Sequence, residues 1–156
     1  MNSSAMIGKP APDIQVDTWV QGDAVNFSTL RGRVVLVEVF QVNCPGCFVH
    51  ALPEVLHLHH SYHDKGLSVI GLATAFEDFD KNTLQNLQRL VTTGELIGEP
   101  LQQLGKAGLL HDNRLDYSLP FAIGMDVLVE NTARVDDTAI NAFILGQLPD
   151  YADWPQ

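Results

Sequence analysis

The strongest apolar run in the chain extends from Arg33 to Gln41, where Val34, Val35, Leu36, Val37, Val39 and Phe40 are interrupted by a single acid, Glu38. A near-continuous β-branched and aromatic run of this length predicts a central strand covered on both faces. After Cys44 the period lengthens. Phe48, Leu52, Val55, Leu56 and Tyr62 recur at helical spacing, and Gly66 supplies a stop. Leu67 to Thr74 predicts a second buried strand. Asp80 is the expected cap of a helix carrying Leu84, Leu87 and Val91. A further helix is expected over Glu99 to Leu110 with Pro100 in its first turn. Leu119 to Met125 predicts a third short strand, and Asp136 or Asp137 a cap for a last helix through Ile140, Phe143 and Ile144. Ahead of these, Ile14 to Val20 alternates as an edge strand would, and Ser28 to Gly32 reads as a turn.

Strand, helix, strand, helix, with buried strands, indicates an α/β architecture around a partly parallel sheet. Residues 1–6 read as a flexible tail and residues 7–156 as one domain, a length able to build its own core. The helix around Ile140, Phe143 and Ile144 is expected in the core. Alternatively it covers an exposed sheet edge or pairs with a second copy, which leaves a homodimer open.

Charge narrows the function. The formal net charge is −10, which repels phosphate backbones and anionic bilayers, so neither nucleic acid nor membrane is an expected partner. No stretch is long and apolar enough to span a bilayer, and the first twelve residues hold no signal-peptide core. The expected compartment is the cytoplasm, or the periplasm if a signal peptide has been removed. Both cysteines of the chain lie in one Cys-x-x-Cys, too few for a disulfide scaffold or for a four-ligand structural zinc site.

Cys44-Pro45-Gly46-Cys47 falls between the apolar strand and its helix, at the carboxyl end of a strand, where α/β sheets place their chemistry. A thiol at a helix start lies near unpaired N–H groups and the positive end of the helix dipole, which stabilise a thiolate. Cys44 is therefore the expected attacking thiol and Cys47, one turn deeper, the resolving one. Pro45 and Gly46 would tune the potential of the pair. Glu38, an acid in an apolar strand, has a pKa raised by burial and can accept the Cys47 proton; the other reading is a carboxylate paired with Arg31 or Arg33.

These residues resemble a known group. Val35 to Pro53, with Val-Leu-Val-Glu-Val-Phe-Gln-Val-Asn-Cys-Pro-Gly-Cys inside it, is similar to the redox centre of thioredoxin-like proteins. The opening Gly8-Lys9-Pro10-Ala11-Pro12-Asp13 and the later Leu30-Arg31-Gly32-Arg33-Val34-Val35-Leu36 resemble the redoxin branch, which holds TlpA/ResA-like oxidoreductases and AhpC/TSA peroxiredoxins. The resemblance spans about residues 7 to 126 by pattern. It implies a thioredoxin-like three-layer α/β/α sandwich and thiol–disulfide oxidoreductase activity without an organic cofactor. It also implies protein or small-molecule thiol and disulfide substrates, and a partner reductase. On the motif, Cys44 and Cys47 match the two active cysteines, and Glu38 matches a buried acid that relays protons to the inner thiol. Pro53 resembles a helix-kinking proline, one residue later than usual.

Several positions depart from the pattern. Gln41 and Val37 stand where peroxiredoxins carry a threonine and a proline, which places thiol peroxidase activity second. Asn43 stands where a tryptophan often precedes the first cysteine. Pro120 is the candidate for the cis-proline that faces the disulfide and docks substrate backbone. However, Ser118 to Asp126 also matches an earlier redoxin strand, Phe-Pro-Val-x-x-Asp. On that second reading, the favoured one, the usual C-terminal hairpin and helix are missing from the sequence, since nothing after Asp126 reads as that hairpin.

Five of the six histidines lie between His50 and His63. A helical wheel places His50 and His57 on the polar face, His60 at its margin, and the i, i+4 pair His59 and His63 towards the apolar side. Such a pair can hold zinc or copper. Cys44, Cys47 and His50 are the further alternative, a copper or zinc carrier like SCO-like relatives; the simpler reading is a solvated face with one packed ring. The acids Glu77, Asp78 and Asp80 read as loop and cap rather than as a metal site.

Overall fold

The computed structural model describes residues 8–128, within which Ile14–Leu128 forms one compact unit. Four strands build its sheet: β1 (Val16–Gln21), β2 (Val34–Phe40), β3 (Leu67–Ala73) and β4 (Ala122–Asp126). Their order is β1-β4-β3-β2, with β2, β3 and β4 parallel and β1 antiparallel to β4. The N-terminal edge strand forms as the alternation predicted. β3 is the most buried strand, its apolar sequence broken only by Ser68, the one residue of the strand that is not fully buried.

The strand expected at the centre differs. Among the described residues β2 is an edge strand, and Val34 and Val39 are 70% and 55% exposed. A β-branched run specifies extended backbone, but the number of neighbouring strands is set by residues far away in sequence.

Three helices follow. α1 (Leu52–Tyr62) leaves β2 through a wide π-helical turn, Cys47–Ala51. Its cause is local. Pro53 has no N–H for the Val49 carbonyl and its ring would collide with it, so the preceding turn opens, and Leu52 N–H reaches back five residues to the Cys47 carbonyl. α1 ends in a 3₁₀ turn, His63–Lys65, stopped by Gly66 at φ 100°, a left-handed position that glycine adopts without strain. α2 (Leu84–Thr93) and α3 (Gly98–Lys106) lie between β3 and β4. The cap of α2 is Thr83, whose hydroxyl accepts the Asn86 N–H at 3.3 Å; Asp80 lies earlier, in the loop, and forms an ion pair with Lys81. Pro100 does fall in the first turn of α3.

One core joins these elements. Phe40, Val69, Ala73, Ile123 and Met125, from one face of the sheet, pack with Phe48, Leu52 and Val55 below the cysteines and with Leu87, Leu90 and Leu104 from α2 and α3. β2, β3 and β4 progress across the sheet in one direction, so two right-handed crossovers put all three helices on the same face. The described residues show helices on one face of the sheet; the helix expected through Ile140, Phe143 and Ile144 and the tail of residues 1–6 lie outside the described residues. No helix among the described residues is long and apolar enough to cross a membrane.

Candidate active site

Cys44 and Cys47 are joined in a disulfide, with Cα atoms 5.4 Å apart, where β2 hands over to the first helical turn. Cys44 occupies the helix-capping position. Pro45 and Gly46 are already helical, and the Cys47 N–H donates both to the Cys44 carbonyl, at 3.1 Å, and to the Cys44 sulfur, at 3.3 Å. The sulfur thus sits where a serine or aspartate oxygen caps other helices. An N–H aimed at it, at the positive end of a helix, favours its anionic form once the disulfide is reduced. Pro45 costs nothing there, because a first-turn N–H has no partner within the helix. Both cysteines are half-buried.

Glu38 is half-buried. Strand alternation puts it on the face of Leu36 and Phe40, and Leu36 lines a groove with Leu58 and Tyr62 of α1. Glu38 therefore faces the helix that carries Cys47. Burial raises its pKa above the ordinary carboxylate value. The alternative pairing with Arg33 does not occur: that guanidinium bonds the carbonyls of His63 and Leu67 at 3.1 and 2.7 Å.

Pro120 is elsewhere. β4 runs parallel to β3, and Met125, not Pro120, is level with Ala73 and hence with Phe40 at the cysteine end of the sheet. Five residues of strand put Pro120 about 16 Å towards the opposite end. There it lines a cavity with His59 and His63, and no peptide bond among the described residues is cis. A docking proline must precede a strand that starts beside the disulfide, so Pro120 is not that residue. It lies two residues ahead of β4, in keeping with the alternative reading of Ser118 to Asp126 as an earlier strand.

His50 and His57 are exposed, as the helical wheel indicated. Among the described residues no three His, Cys, Asp or Glu side chains converge into a metal-binding group, so His50 is not gathered with the two thiols. His59 is the packed ring, 5.8 Å from Phe121 and 4.7 Å from His63, which is itself exposed. Burial, and then the neighbouring His63 and His60, lower the His59 pKa, and its Nδ1 is buried without a hydrogen-bond partner.

A buried amide network was not anticipated from the sequence. Gln41, Asn43 and Asn82 are 3%, 7% and 1% exposed. Asn82 accepts the Asn43 N–H at 2.8 Å and donates to Gln41 and to the Glu77 carbonyl at 3.2 and 2.9 Å. Asn43 donates to Asp78 at 2.7 Å and accepts the Glu99 N–H, in the first turn of α3, at 2.9 Å. Gly98 makes room for this last bond: at φ 56°, a Cβ there would collide with the Asn43 side-chain oxygen. The loop before Cys44 is thereby pinned to the β3–α2 loop and to α3. Two amides flanking Val42 immediately before the cysteine were the available signal, but they registered only as departures from a family pattern. A second tie lies behind Cys47, where the Tyr117 hydroxyl donates to the Phe48 carbonyl at 2.9 Å.

A mixed α/β sheet with a Cys-x-x-Cys disulfide where a parallel strand enters its helix defines a protein of the thioredoxin-like class. The family model named Redoxin matches residues 6–133, and the chain belongs to the Redoxin family. The chain is 35% identical over 77 residues to Protein FixW of Rhizobium leguminosarum, covering 49% of this chain and 34% of FixW. It is 33% identical over 75 residues to Protein DipZ of Mycobacterium tuberculosis, covering 46% of this chain and 11% of DipZ. It thus spans about a third or less of these curated relatives. Among solved structures, a thiol-disulfide isomerase from Corynebacterium glutamicum superposes with a TM-score of 0.55 at 26% identity, over 85% of this chain and 71% of that one. A thioredoxin-like superfamily protein superposes with a TM-score of 0.51 at 19% identity, over 88% and 94%, a likeness of fold alone.

Proposed function

We propose that this chain is a dithiol–disulfide oxidoreductase in which Cys44 attacks and Cys47 resolves. The observation that carries the reading is the capping position of Cys44, with the Cys47 N–H directed at its sulfur. In the reduced state the Cys44 thiolate attacks one sulfur of a substrate disulfide. A Cys44–substrate mixed disulfide forms, and the other substrate sulfur leaves as a thiolate and takes a proton. Cys47 gives up its proton and attacks the Cys44 sulfur, closing the protein disulfide and releasing the substrate as its second thiol. Two electrons and two protons pass to the substrate. Glu38, facing α1 with a raised pKa, is the group suited to take the Cys47 proton.

The neighbouring thiol-disulfide isomerase supports this reading, as does membership of the Redoxin family. Substrates are protein or small-molecule thiols and disulfides, and a reductase or another dithiol protein returns the electrons. Fractionation of cells producing the chain separates the cytoplasmic from the periplasmic assignment.

The deciding measurement is the Cys44–Cys47 redox equilibrium against glutathione, followed by thiol labelling and mass detection on metal-stripped protein. A reversible two-electron couple is expected. Cys44→Ser should then abolish disulfide reduction, and Cys47→Ser should accumulate mixed disulfides. A pair that never interconverts, or a Cys44→Ser variant that still turns over, overturns the assignment. Sulfenate formation at Cys44 with peroxide, or stoichiometric zinc or copper surviving desalting, would point to the peroxidase or metal-carrier alternatives instead.

A further inference from the structure

Two exposed aromatic rings stand on a loop that is hydrogen-bonded to the residues just before Cys44. The loop joining β3 to α2 carries Phe76 and Phe79, 71% and 65% exposed. Their display is built in. The Phe76 N–H donates to the Gln41 side-chain oxygen at 3.0 Å, Asp78 accepts from Asn43 at 2.7 Å, and the Asp78 carbonyl accepts the N–H groups of Lys81 and Asn82 at 2.8 and 2.9 Å. The rings are thus mounted on backbone that is bonded to the residues immediately before Cys44. Acids surround them: Glu77, Asp78 and Asp80 on the same loop and Glu99 at the start of α3, which Asn43 also holds. Lys81 answers Asp78 and Asp80 at 3.5 and 3.6 Å and leaves the patch net negative.

We propose that Phe76 and Phe79, with Glu77, Asp78 and Asp80 around them, form the docking surface for polypeptide substrates whose reacting cysteines are flanked by apolar and basic residues. The inference rests on Cys44–Cys47 being the redox couple. Aromatic rings in a pinned loop offer apolar contact at little cost in conformational freedom, the pattern of interface anchors. The acids select against acidic partners and speed encounter with basic ones. Charge also argues against a second copy as occupant, because that copy carries the same net −10. Pro120 lies towards the other end of the sheet, whereas this loop is bonded to the residues immediately before Cys44.

The test uses fully reduced protein, which gives two electrons and two protons to a peptide disulfide and yields the peptide dithiol and the Cys44–Cys47 disulfide. Three peptides with one cysteine spacing are compared: leucine and lysine flanks, leucine and glutamate flanks, and serine and lysine flanks, with glutathione disulfide as a small reference. The leucine–lysine peptide should be reduced about tenfold faster than either of the others, and its lead over the glutamate peptide should shrink in high salt. In the double variant Phe76→Ser, Phe79→Ser, the rate on this peptide relative to glutathione disulfide should fall about tenfold, whereas Leu109→Ser, an exposed apolar site elsewhere, should leave that ratio in place. Equal rates on all three peptides, or an unchanged ratio in the double variant, overturns the docking surface while the redox couple stands. Failure to reduce any probe, glutathione disulfide included, removes the couple and the docking surface together.

Discussion

At Cys44 a sulfur stands where a side-chain oxygen caps other helices, accepting the Cys47 N–H, and the amides before it keep that geometry in place. Asn82 is the central member of that group. Its removal takes away the acceptor of the buried Asn43 N–H and the side-chain donor to the Glu77 carbonyl, and one of the donors to the Gln41 oxygen. Asn82→Ala should lower unfolding free energy by about 1–3 kcal/mol in urea titration. It should also loosen the loop that presents Phe76.

Glu38 makes an opposite contribution. Its folded pKa is raised above the ordinary 4.5, so between 4.5 and the folded value the unfolded chain releases this proton more readily. Stability is therefore lost as pH rises through that window, and the loss persists above it. Glu38→Gln should raise the urea midpoint at about pH 7, and the gain should vanish below 4.5. A variant that is less stable at neutral pH would show that the carboxylate has a stabilising partner. The half-buried carboxylate therefore costs stability at neutral pH, and under the proposed mechanism it is the group that takes the Cys47 proton.

Among the elements, α1 is the most specialised. The turn that leads into it carries Cys47, Pro53 at its start opens that turn, and its end packs His59 against Phe121 of the segment that enters β4. The groups that face His59 are His63 and His60, which lower its pKa along with burial, and Asp64, which opposes them. Asp23 and Ser68 lie across the same cavity. Because the folded pKa lies below the ordinary 6.5, the unfolded chain takes up this proton first as pH falls. Stability attributable to His59 is complete above 6.5 and declines below it, down to the folded pKa. In urea titrations from about pH 7.5 to about pH 5, His59→Phe should remove part of the acid sensitivity. An unchanged pH profile would exclude His59 as a source of it.

For the whole molecule, one core under one face of the sheet links the cysteine turn to every helix. Ile123, fully buried at its centre, packs across Gly71, where even a methyl group would crowd its side chain. Ile123→Ala should cost about 2–5 kcal/mol of unfolding free energy, measured by denaturant, although it lies on the strand farthest in sequence from the cysteines. A cost well under that range would mean the core closes over the gap.

The α/β alternation, the four strands to within a few residues, the stop after α1 at Gly66 and the cysteine pair at a strand-to-helix junction are all legible along the chain. These follow from periodicity, turn chemistry and motif spacing, all of which act over a few residues. That β2 lies at an edge of the described sheet is set by the folded arrangement, because strand order depends on pairing between distant segments. Pro120 fell at the opposite end from the disulfide for the same reason: the sequence allowed two strands for it, and the direction of β4 against β3 chose between them. Gln41, Asn43 and Asn82 became a network only when two loops some forty residues apart were brought together. A buried amide has no periodic signature, and its role is fixed by the partners that folding brings to it.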